Sequence, residues 1–323
     1  MSDFMVRNCP ACFSANESLN IQGCIFCLHK CADCGLAFSS PMPSDNELLA
    51  YYQGFNFLRQ SPASLLRSLP AIRESLQFFV GRSESHGRFL DYGGGSGIYT
   101  LAAEQLGWEA DLFDYDKQMI DFARREMGVS RAYSTMHDVA GPYDVIFAFH
   151  VVEHWNNFDQ SFRQLLGMLA ERGSLVFATP NANSVEKCAR PSHRKSYKDI
   201  LLQNGASEDQ AEFWMNQNDS ITCWNPPRHL FAFTPKSFVE IGKRYALKTT
   251  IWTGYNTSQI FEPRSYIVPR YVDSMMGALG AVSRHPRSAF RRLLSEIALR
   301  HRLHVLQRSH PDMGEQLYVR FST

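Results

Sequence analysis

The feature that most constrains the fold is an apolar segment that runs directly into a series of glycines. Residues 88–92 (RFLDY) have the pattern of a β-strand, and residues 93–97 (GGGSG) follow without a spacer. Strand-like and helix-like segments then alternate, with further strands predicted at residues 109–116, 143–149 and 173–180. Strands that alternate with helices of about ten residues are typical of βαβ units and a parallel sheet. We therefore predict an α/β, Rossmann-like domain, in which ligands bind at the carboxyl ends of the strands.

The glycine segment lies at that ligand-binding edge, and three known motifs compete for it. A phosphate-binding P-loop needs a lysine after its glycines, and none follows here. A dinucleotide fingerprint, G-x-G-x-x-G/A, fits Gly93 and Gly95 but meets Ile98 at its last position. The third motif takes Asp91 together with the glycines, because bare backbone lets a ligand approach closely. Asp114 ends the next strand, where an acidic side chain accepts hydrogen bonds from ribose hydroxyls. A turn that binds no ligand is the remaining alternative.

A second group of polar residues follows the strand at residues 143–149. His150, Glu153 and His154 have the spacing of one zinc-peptidase motif, but that motif would lie in the middle of a helix. Here the group is predicted to lie in the loop and first helical turn after the strand, with its members on one face. An unperturbed histidine has a pKa of about 6.5, which suits a general base, and Glu153 would orient it. Structural roles are the alternative, with His154 bonded to the backbone.

The order of these motifs resembles that of class I S-adenosylmethionine-dependent methyltransferases, and more narrowly that of bacterial sugar and small-molecule methyltransferases with an N-terminal zinc ribbon. The resemblance covers residues 9–245, and residues 315–323 (EQLYVRFST) fit the closing hairpin of that fold. It implies a seven-stranded, mostly parallel sheet. It also implies that S-adenosylmethionine is bound by Asp91, Gly93, Gly95, Gly97, Asp114 and Tyr115. The adenine contact would fall within residues 134–138 (STMHD).

The same resemblance supplies alternatives for the reacting residues. Relatives in the ubiquinone pathway carry a glutamate where His150 stands, and a divalent metal is a candidate to bind there. Because this chain has a histidine at that position, a metal-assisted reaction is less favoured but stays an alternative. In similar enzymes the histidine before a later helix faces the acceptor pocket, so His229 is a rival to His150 as the base. Tyr51 and Tyr52 either close this pocket from the other side or pack beneath their own helix.

Two helix starts are marked by their capping residues. Residues 44–52 (SDNELLAYY) predict a short helix with Ser44 and Glu47 as a capping box. After His229, Thr234 would cap a second helix and Pro235 would occupy its first position.

The N-terminal segment contains two C-x-x-C pairs, whose cysteines are Cys9, Cys12, Cys31 and Cys34. Their spacing fits a zinc site, and four cysteines leave no coordination position open, so the zinc is predicted to be structural. Residues 18–30 predict a hairpin between the pairs. Cys24 and Cys27 form a third pair, read either as strand residues or thiols beside the metal, or as part of a swapped ligand set. Clustered cysteines, and a start without a signal-peptide pattern, predict the reducing cytoplasm.

The predicted domains are a zinc ribbon at residues 1–43, a helical linker or lid at residues 44–85, and a methyltransferase domain at residues 86–323 with inserts at residues 181–228 and 260–312. The formal net charge of +1 gives no overall field that would favour nucleic acid. No apolar run approaches the roughly 18 residues of a membrane helix. Arginine-rich residues 284–310 predict a helix packed on the domain or across a dimer, and leave peripheral contact with an anionic substrate open. A monomer and a homodimer both remain open.

These features predict transfer of a methyl group from S-adenosylmethionine to a hydroxyl of a small-molecule acceptor, such as a glycan, a glycosylated intermediate or a secondary metabolite. One alternative keeps the reaction and makes RNA the acceptor, with the zinc ribbon as a docking module. The ribbon has few basic residues, which disfavours that alternative. The other alternative is a non-catalytic, cofactor-binding scaffold, which the intact Asp91 and Asp114 disfavour.

Overall fold

The computed structural model of the chain describes residues 8–14, 17–19, 27–53, 61–83, 87–184, 202, 207–209, 223, 226–254, 314 and 316–323. Within these residues the strands form two sheets, one of four strands and one of seven. Three predicted features lie wholly or mostly outside the described residues: Cys24, the insert at residues 181–228, and the insert at residues 260–312 with its arginine-rich segment at residues 284–310.

The four-stranded sheet contains the hairpin predicted between the cysteine pairs. Strand β1 (Glu17–Leu19) pairs antiparallel with β2 (Cys27–Lys30), which pairs antiparallel with β3 (Ala37–Ser40). The fourth strand, β9 (Phe231–Ala232), joins the other edge of β3 from far along the chain. The ribbon sheet is thus completed by the segment that carries His229.

The larger sheet consists of β4 (Arg88–Tyr92), β5 (Glu109–Phe113), β6 (Ala132–Tyr133), β7 (Tyr143–Phe149), β8 (Leu169–Pro180), β10 (Lys248–Gly254) and β11 (Gln316–Ser322). Their order across the sheet is β10-β11-β8-β7-β4-β5-β6. Neighbours from β8 to β6 run parallel, and β11 is antiparallel to both β8 and β10. The predicted fold class, a Rossmann-like and mostly parallel seven-stranded sheet with a closing hairpin, is confirmed.

Strand β4 lies where the order of the strands reverses. The chain proceeds from β4 outward through β5 and β6, and then returns to β7 and β8 on the other side. Asp91 of β4 pairs in register with Leu112 of β5 and with Phe147 of β7. Open parallel sheets bind ligands in the crevice outside the carboxyl ends of the strands at such a reversal. The glycine loop and the turn at His150 both begin at this edge.

The helices within the described residues are α1 (Asp45–Gln53), α2 (Pro62–Val80), α3 (Ile98–Gln105), α4 (Lys117–Phe122, continued by a π-helical turn over Ala123–Met127), α5 (Phe158–Gly167) and α6 (Pro235–Arg244). The Ser44 amide donates to Oε2 of Glu47 at 2.8 Å, which closes the predicted capping box of α1. Oγ1 of Thr234 accepts from the Ser237 amide at 3.0 Å, so the predicted cap of α6 is also confirmed. In the part of the chain that the structure describes, no helix has the length and apolarity needed to cross a membrane.

Alternate residues of the strands enter two separate apolar cores. Successive side chains of a strand point to opposite faces of the sheet, so Phe89 and Leu90 of β4 belong to different clusters. The cluster with Phe89 packs α2 and α3 against one face. The cluster with Leu90 packs α5 and α6 against the other face and includes Cys9 and Cys34. The cysteine-containing segment therefore shares a core with the large sheet.

Candidate active site

The glycine loop connects β4 to α3 with bare backbone. The amides of Gly93 and Gly94 donate to the carbonyl oxygen of Phe113, at 2.7 and 3.2 Å, which ties the loop to the end of β5. Gly95 has a φ of 52°, a left-handed conformation that residues with side chains rarely adopt. A Cβ atom at Gly94 would lie 2.2 Å from Cγ of Asp91. The loop therefore lies directly against the Asp91 carboxyl group.

Asp91 is completely buried beneath this loop. Its Oδ2 accepts from the amide and the hydroxyl of Thr100, at 3.0 and 2.8 Å, while its Oδ1 has no partner among the described residues. Burial raises the pKa of Asp91 to about 7, against the lowering effect of the Thr100 hydrogen bonds. Gly97, with a φ of 74°, begins the helix that carries Thr100. A buried carboxyl oxygen without a partner favours a ligand that brings a donor or a positive charge.

Asp114 follows β5 and joins it to the glycine loop. Its Oδ2 accepts from the Gly95 amide at 2.9 Å, and its Oδ1 accepts from the Asp116 amide at 2.8 Å. Burial raises the pKa of Asp114 to about 6 in spite of these two bonds. Each carboxyl oxygen accepts more than one hydrogen bond, so capacity remains for the hydroxyls of a ribose. Tyr115 beside it is 70% exposed, and the segment predicted to contact adenine forms the short turn Met136–Asp138 after β6.

His150 follows β7 in a left-handed conformation, with a φ of 56°. A residue with a side chain rarely adopts this backbone conformation, because it costs about 1–2 kcal/mol of conformational free energy. The His150 amide donates to the Ala178 carbonyl at 2.7 Å, which attaches the turn to β8. Its Nδ1 lies 2.9 Å from Oε1 of Glu153, whose Oε2 accepts from the Thr179 hydroxyl at 3.0 Å. Sequence reasoning missed Thr179, and a hydroxyl within the apolar segment at residues 173–180 was the available signal.

Glu153 is the buried centre of this group, with 1% of its surface exposed. Burial by itself would raise its pKa, but the hydrogen bond with His150 and the electrostatic interaction with that ring outweigh burial and lower the pKa below its usual range. A carboxylate only accepts hydrogen bonds, so Nδ1 of His150 carries a hydrogen. Nε2 of a neutral His150 then has a free lone pair, and the side chain is 27% exposed.

His154 and His229 face each other next to Glu153. Nδ1 of His154 lies 2.6 Å from the Arg228 carbonyl oxygen and 3.0 Å from the Tyr52 hydroxyl. Nδ1 of His229 lies 2.9 Å from the Cys223 carbonyl oxygen. Since a carbonyl oxygen only accepts, each Nδ1 carries a hydrogen and each Nε2 has a lone pair. Burial lowers the pKa of both rings, to about 3 for His229, and so disfavours a positive charge on either ring.

The possible metal ligands in the structure differ from those of the metal-assisted alternative, which placed the metal at His150. Glu153, His154 and His229 place ligand atoms within 4.8 Å of one another. His150, which that alternative included, has its Nδ1 bonded to Glu153 instead. Tyr52 also lies at this cluster, because its hydroxyl is 3.0 Å from Nδ1 of His154.

The four predicted cysteine ligands come together in the ribbon. Sγ of Cys9 lies 3.5 Å from Sγ of Cys34, and Sγ of Cys12 lies 3.4 Å from Sγ of Cys31. A tetrahedral zinc with bonds of about 2.3 Å places its sulfurs about 3.8 Å apart. Gly35, with a φ of 74°, closes the turn of the second pair. The hydrogen bond between the Cys9 and Cys34 thiols lowers the pKa of Cys9 to about 6 and raises the pKa of Cys34, so it favours a thiolate at Cys9. The arrangement fits a four-coordinate structural zinc.

The sheet order, the glycine loop on Asp91 and the acidic residue after β5 together define a Rossmann-like domain of the methyltransferase class. Residues 65–250 match the family described as "Methyltransferase domain", which is more than half of the chain. The chain belongs to this family, and it is an S-adenosylmethionine-dependent methyltransferase. No curated protein matches the chain.

Several solved structures are similar to the chain. The plantazolicin methyltransferase BamL, in complex with a triazolic desmethylPZN analog and SAH, has 15% sequence identity over 81% of this chain and 86% of its own, with a TM-score of 0.41. A SAM-dependent methyltransferase from Archaeoglobus fulgidus has 15% identity over 85% and 99% of the two chains, with a TM-score of 0.44. Phosphoethanolamine N-methyltransferase 2 from Haemonchus contortus has 14% identity over 87% of this chain and 57% of its own, with a TM-score of 0.45.

Proposed function

We propose that the protein methylates a hydroxyl group of a small polar acceptor, of the sugar or glycosylated-metabolite type, with His150 as the general base. The observation that carries this proposal is the hydrogen-bonded series from Thr179 through Glu153 to His150. This series lies at the carboxyl end of β7, and β7 is the sheet neighbour of β4, from which the glycine loop departs. A base at His150 would therefore stand beside the cofactor site.

The residues of the glycine loop fit S-adenosylmethionine. The unpartnered Oδ1 of Asp91 suits the amino group of that ligand, directly or through a water. Asp114 has free accepting capacity for both ribose hydroxyls, and the exposed ring of Tyr115 would cover the nucleoside. The bound cofactor supplies a methyl group on a positively charged sulfur. Positive charge and hydroxyl donors also suit two carboxyl groups whose pKa values burial has raised.

In the proposed mechanism Nε2 of His150 takes the proton of the acceptor hydroxyl, so that its oxygen can form a bond to the methyl carbon. The bond between that carbon and the sulfonium sulfur would break in the same step, and the sulfur would keep the electron pair as a neutral thioether. Glu153 stabilises the positive imidazolium that results, and the Thr179 hydroxyl holds the carboxylate in place. A general base of this kind contributes about 10²–10⁴-fold to the rate. Alignment of the two reactants supplies much of the remaining acceleration.

His229 suits the role of base less well. Its Nδ1 donates to the neutral Cys223 carbonyl rather than to a carboxylate. Burial lowers the pKa of His229 to about 3, which makes it a weak proton acceptor at neutral pH. We assign His229 and His154 to the wall of the acceptor site.

The polar character of that wall supports a polar acceptor. Within the described residues, this wall consists of the Tyr52 hydroxyl and the rings of His154 and His229.

RNA has less support as the acceptor, because Lys30 is the one lysine or arginine among the described residues of the ribbon. Thiols that hold a metal also fit the reducing cytoplasm expected from the sequence.

Labelled S-adenosylmethionine and a panel of acceptors test the proposal. Free sugars, nucleotide-linked sugars and RNA are each offered to the wild type and to His150→Gln. We expect label in a sugar-type acceptor, lost in His150→Gln although calorimetry shows unchanged cofactor binding. Near-normal turnover by His150→Gln would exclude His150 as the base, and label found in RNA alone would change the acceptor class.

A further inference from the structure

Leu230 is bonded on one side to the active-site turn and on the other side to the zinc ribbon. Its amide donates to the carbonyl oxygen of Glu153 at 2.8 Å, and its own carbonyl accepts from the Ser39 amide at 2.9 Å. Leu230 is completely buried. Because His229 directly precedes Leu230, its position depends on both of these partners.

Strand β9 continues this link to the ribbon. Phe231 and Ala232 pair with Phe38 and Ala37 of β3. The rings of Phe231 and Phe38 stack with centroids 6.5 Å apart, and the Phe231 ring also meets Phe158 of α5 at 6.1 Å. The backbone of β9 thus belongs to the ribbon sheet, while its aromatic side chain also packs on the methyltransferase core.

Helix α6 is attached to both cysteine pairs. Thr234, its cap, donates its hydroxyl to the Cys34 carbonyl at 2.7 Å and accepts from the Ser237 amide. Arg244, in the last turn, donates Nη1 to the carbonyl of Pro10 at 2.7 Å. Pro10 lies within the first cysteine pair and Cys34 within the second. A change in either pair therefore reaches α6 and the segment before it.

We propose that the metal-loaded cysteine centre positions the acceptor side of the active site, with Thr234 as a positioning residue. The inference rests on the proposed function, in which His229 and the turn at Glu153 lie at the acceptor site. A ribbon of about 40 residues buries too little apolar surface of its own to hold its fold, so its cysteine pairs depend on the metal as well as on the core shared with the large sheet. Without the ion the cysteine pairs separate, β3 and Cys34 release residues 230–234, and His229 loses its fixed place.

The cofactor-binding side of the active site does not rely on this link between the cysteine centre and residues 230–234. Asp91 bonds to Thr100, and Asp114 bonds to Gly95 and Asp116, so neither carboxyl group bonds to the ribbon in the described part of the chain. Loss of the metal is therefore expected to disturb the acceptor side and to leave cofactor binding in place.

The first experiment removes the metal from the wild-type full chain with a strong chelator under reducing conditions. Amide hydrogen exchange across residues 230–233 should become at least about tenfold faster, which corresponds to about 1.4 kcal/mol of local stability. Exchange in β5 and the affinity for S-adenosylmethionine should stay unchanged. Unchanged exchange at residues 230–233 after metal loss overturns the proposal, and so does an equal rise in β5, which would mean general unfolding.

The second experiment keeps the metal and changes Thr234. Thr234→Val removes the hydroxyl that bonds to Cys34, Thr234→Ser retains it, and Thr250→Val alters an exposed threonine of β10 as the control. We expect Thr234→Val to speed exchange at residues 230–233 and lower kcat without changing KM for the cofactor, and Thr234→Ser to restore both. Exchange in a folded Thr234→Val protein equal to that in Thr250→Val overturns the positioning role. If Thr234→Val does not fold, the metal-removal experiment decides.

The exchange readout needs no methyl transfer, so the two proposals fail separately. Normal turnover by His150→Gln would remove the proposed base and leave the coupling of the ribbon to residues 230–233 standing. Normal exchange after metal loss would remove the coupling and leave the base standing.

Discussion

Nδ1 of His150 lies 2.9 Å from Oε1 of Glu153, at the point where β7 passes into a left-handed turn. A left-handed residue with a side chain persists only when its surroundings hold it there. The His150 amide bonds to Ala178, and its ring bonds to a carboxylate that is itself held by Thr179. The residue proposed as the base is therefore the one in the strained conformation. The bonds that hold it there also fix the direction of its imidazole ring.

Glu153→Gln tests the electrostatic part of this pair. The substitution keeps the size of the side chain but removes the charge that would stabilise a protonated His150. We expect turnover at saturating cofactor to fall on the order of 10²-fold, while the dissociation constant of S-adenosylmethionine stays the same. Steady-state rates and calorimetry measure the two quantities. Glu126→Gln, at an exposed carboxylate of the π-helical turn, is the control, and equal turnover in both variants would contradict the assigned role.

Gly95→Ala and Gly128→Ala separate backbone strain from cofactor binding. The two glycines have φ values of 52° and 80°, so alanine costs about 1–2 kcal/mol of unfolding free energy at either. A Cβ at Gly128 meets nothing within 4 Å, whereas one at Gly95 lies 3.4 Å from Met119 and 3.9 Å from Oδ2 of Asp114. We expect similar losses of stability by denaturant unfolding, but weaker cofactor binding by calorimetry in Gly95→Ala alone. Equal cofactor affinities would exclude the loop as the binding site.

The cofactor end of the site could be predicted from the sequence because its parts are local. The strand that carries Asp91 near its end runs directly into the glycines that form the turn. Asp114 follows one helix and one strand later. Alternation of strand and helix patterns then places both at the same sheet edge. In the structure the Gly95 amide donates a hydrogen bond to Asp114, so the glycine loop and the end of β5 meet at this edge.

The acceptor end could not be predicted to the same depth because its contacts join distant segments. The bond between Thr179 and Glu153, and the two bonds of Leu230 to Glu153 and Ser39, leave no local pattern in the sequence. The same holds for β9, which pairs with β3 across most of the chain. Spacing alone grouped His150, Glu153 and His154, whereas the fold places His229 beside His154 and leaves His150 to pair with Glu153.

The buried carboxyl groups make cofactor binding depend on pH. Burial raises the pKa of Asp91 to about 7, so its carboxyl group is largely protonated at lower pH. A ligand whose positive amino group pairs with Asp91 requires the carboxylate, so binding below about pH 7 releases a proton. The affinity for S-adenosylmethionine should therefore rise as the pH increases from about 5 to about 7. Calorimetry in buffers of different ionisation enthalpy counts the released protons. Asp91→Asn should abolish most of that release, and a pH-independent affinity of the wild type would contradict the assignment.

The two clusters of possible metal ligands should respond differently to a chelator. Four thiolates fill the coordination of zinc and hold it tightly, whereas Glu153, His154 and His229 would leave positions open and bind a metal more weakly. Dialysis against EDTA should therefore leave the ribbon zinc in place, as measured by atomic emission, and should not change turnover, because His150 needs no metal to accept a proton. Cys12→Ser, which removes one thiolate, is the control for loss of the zinc itself. If turnover falls while the zinc content stays constant, and Mg²⁺ or Mn²⁺ restores it, then the metal-assisted reaction at Glu153, His154 and His229 replaces His150 as the explanation of catalysis.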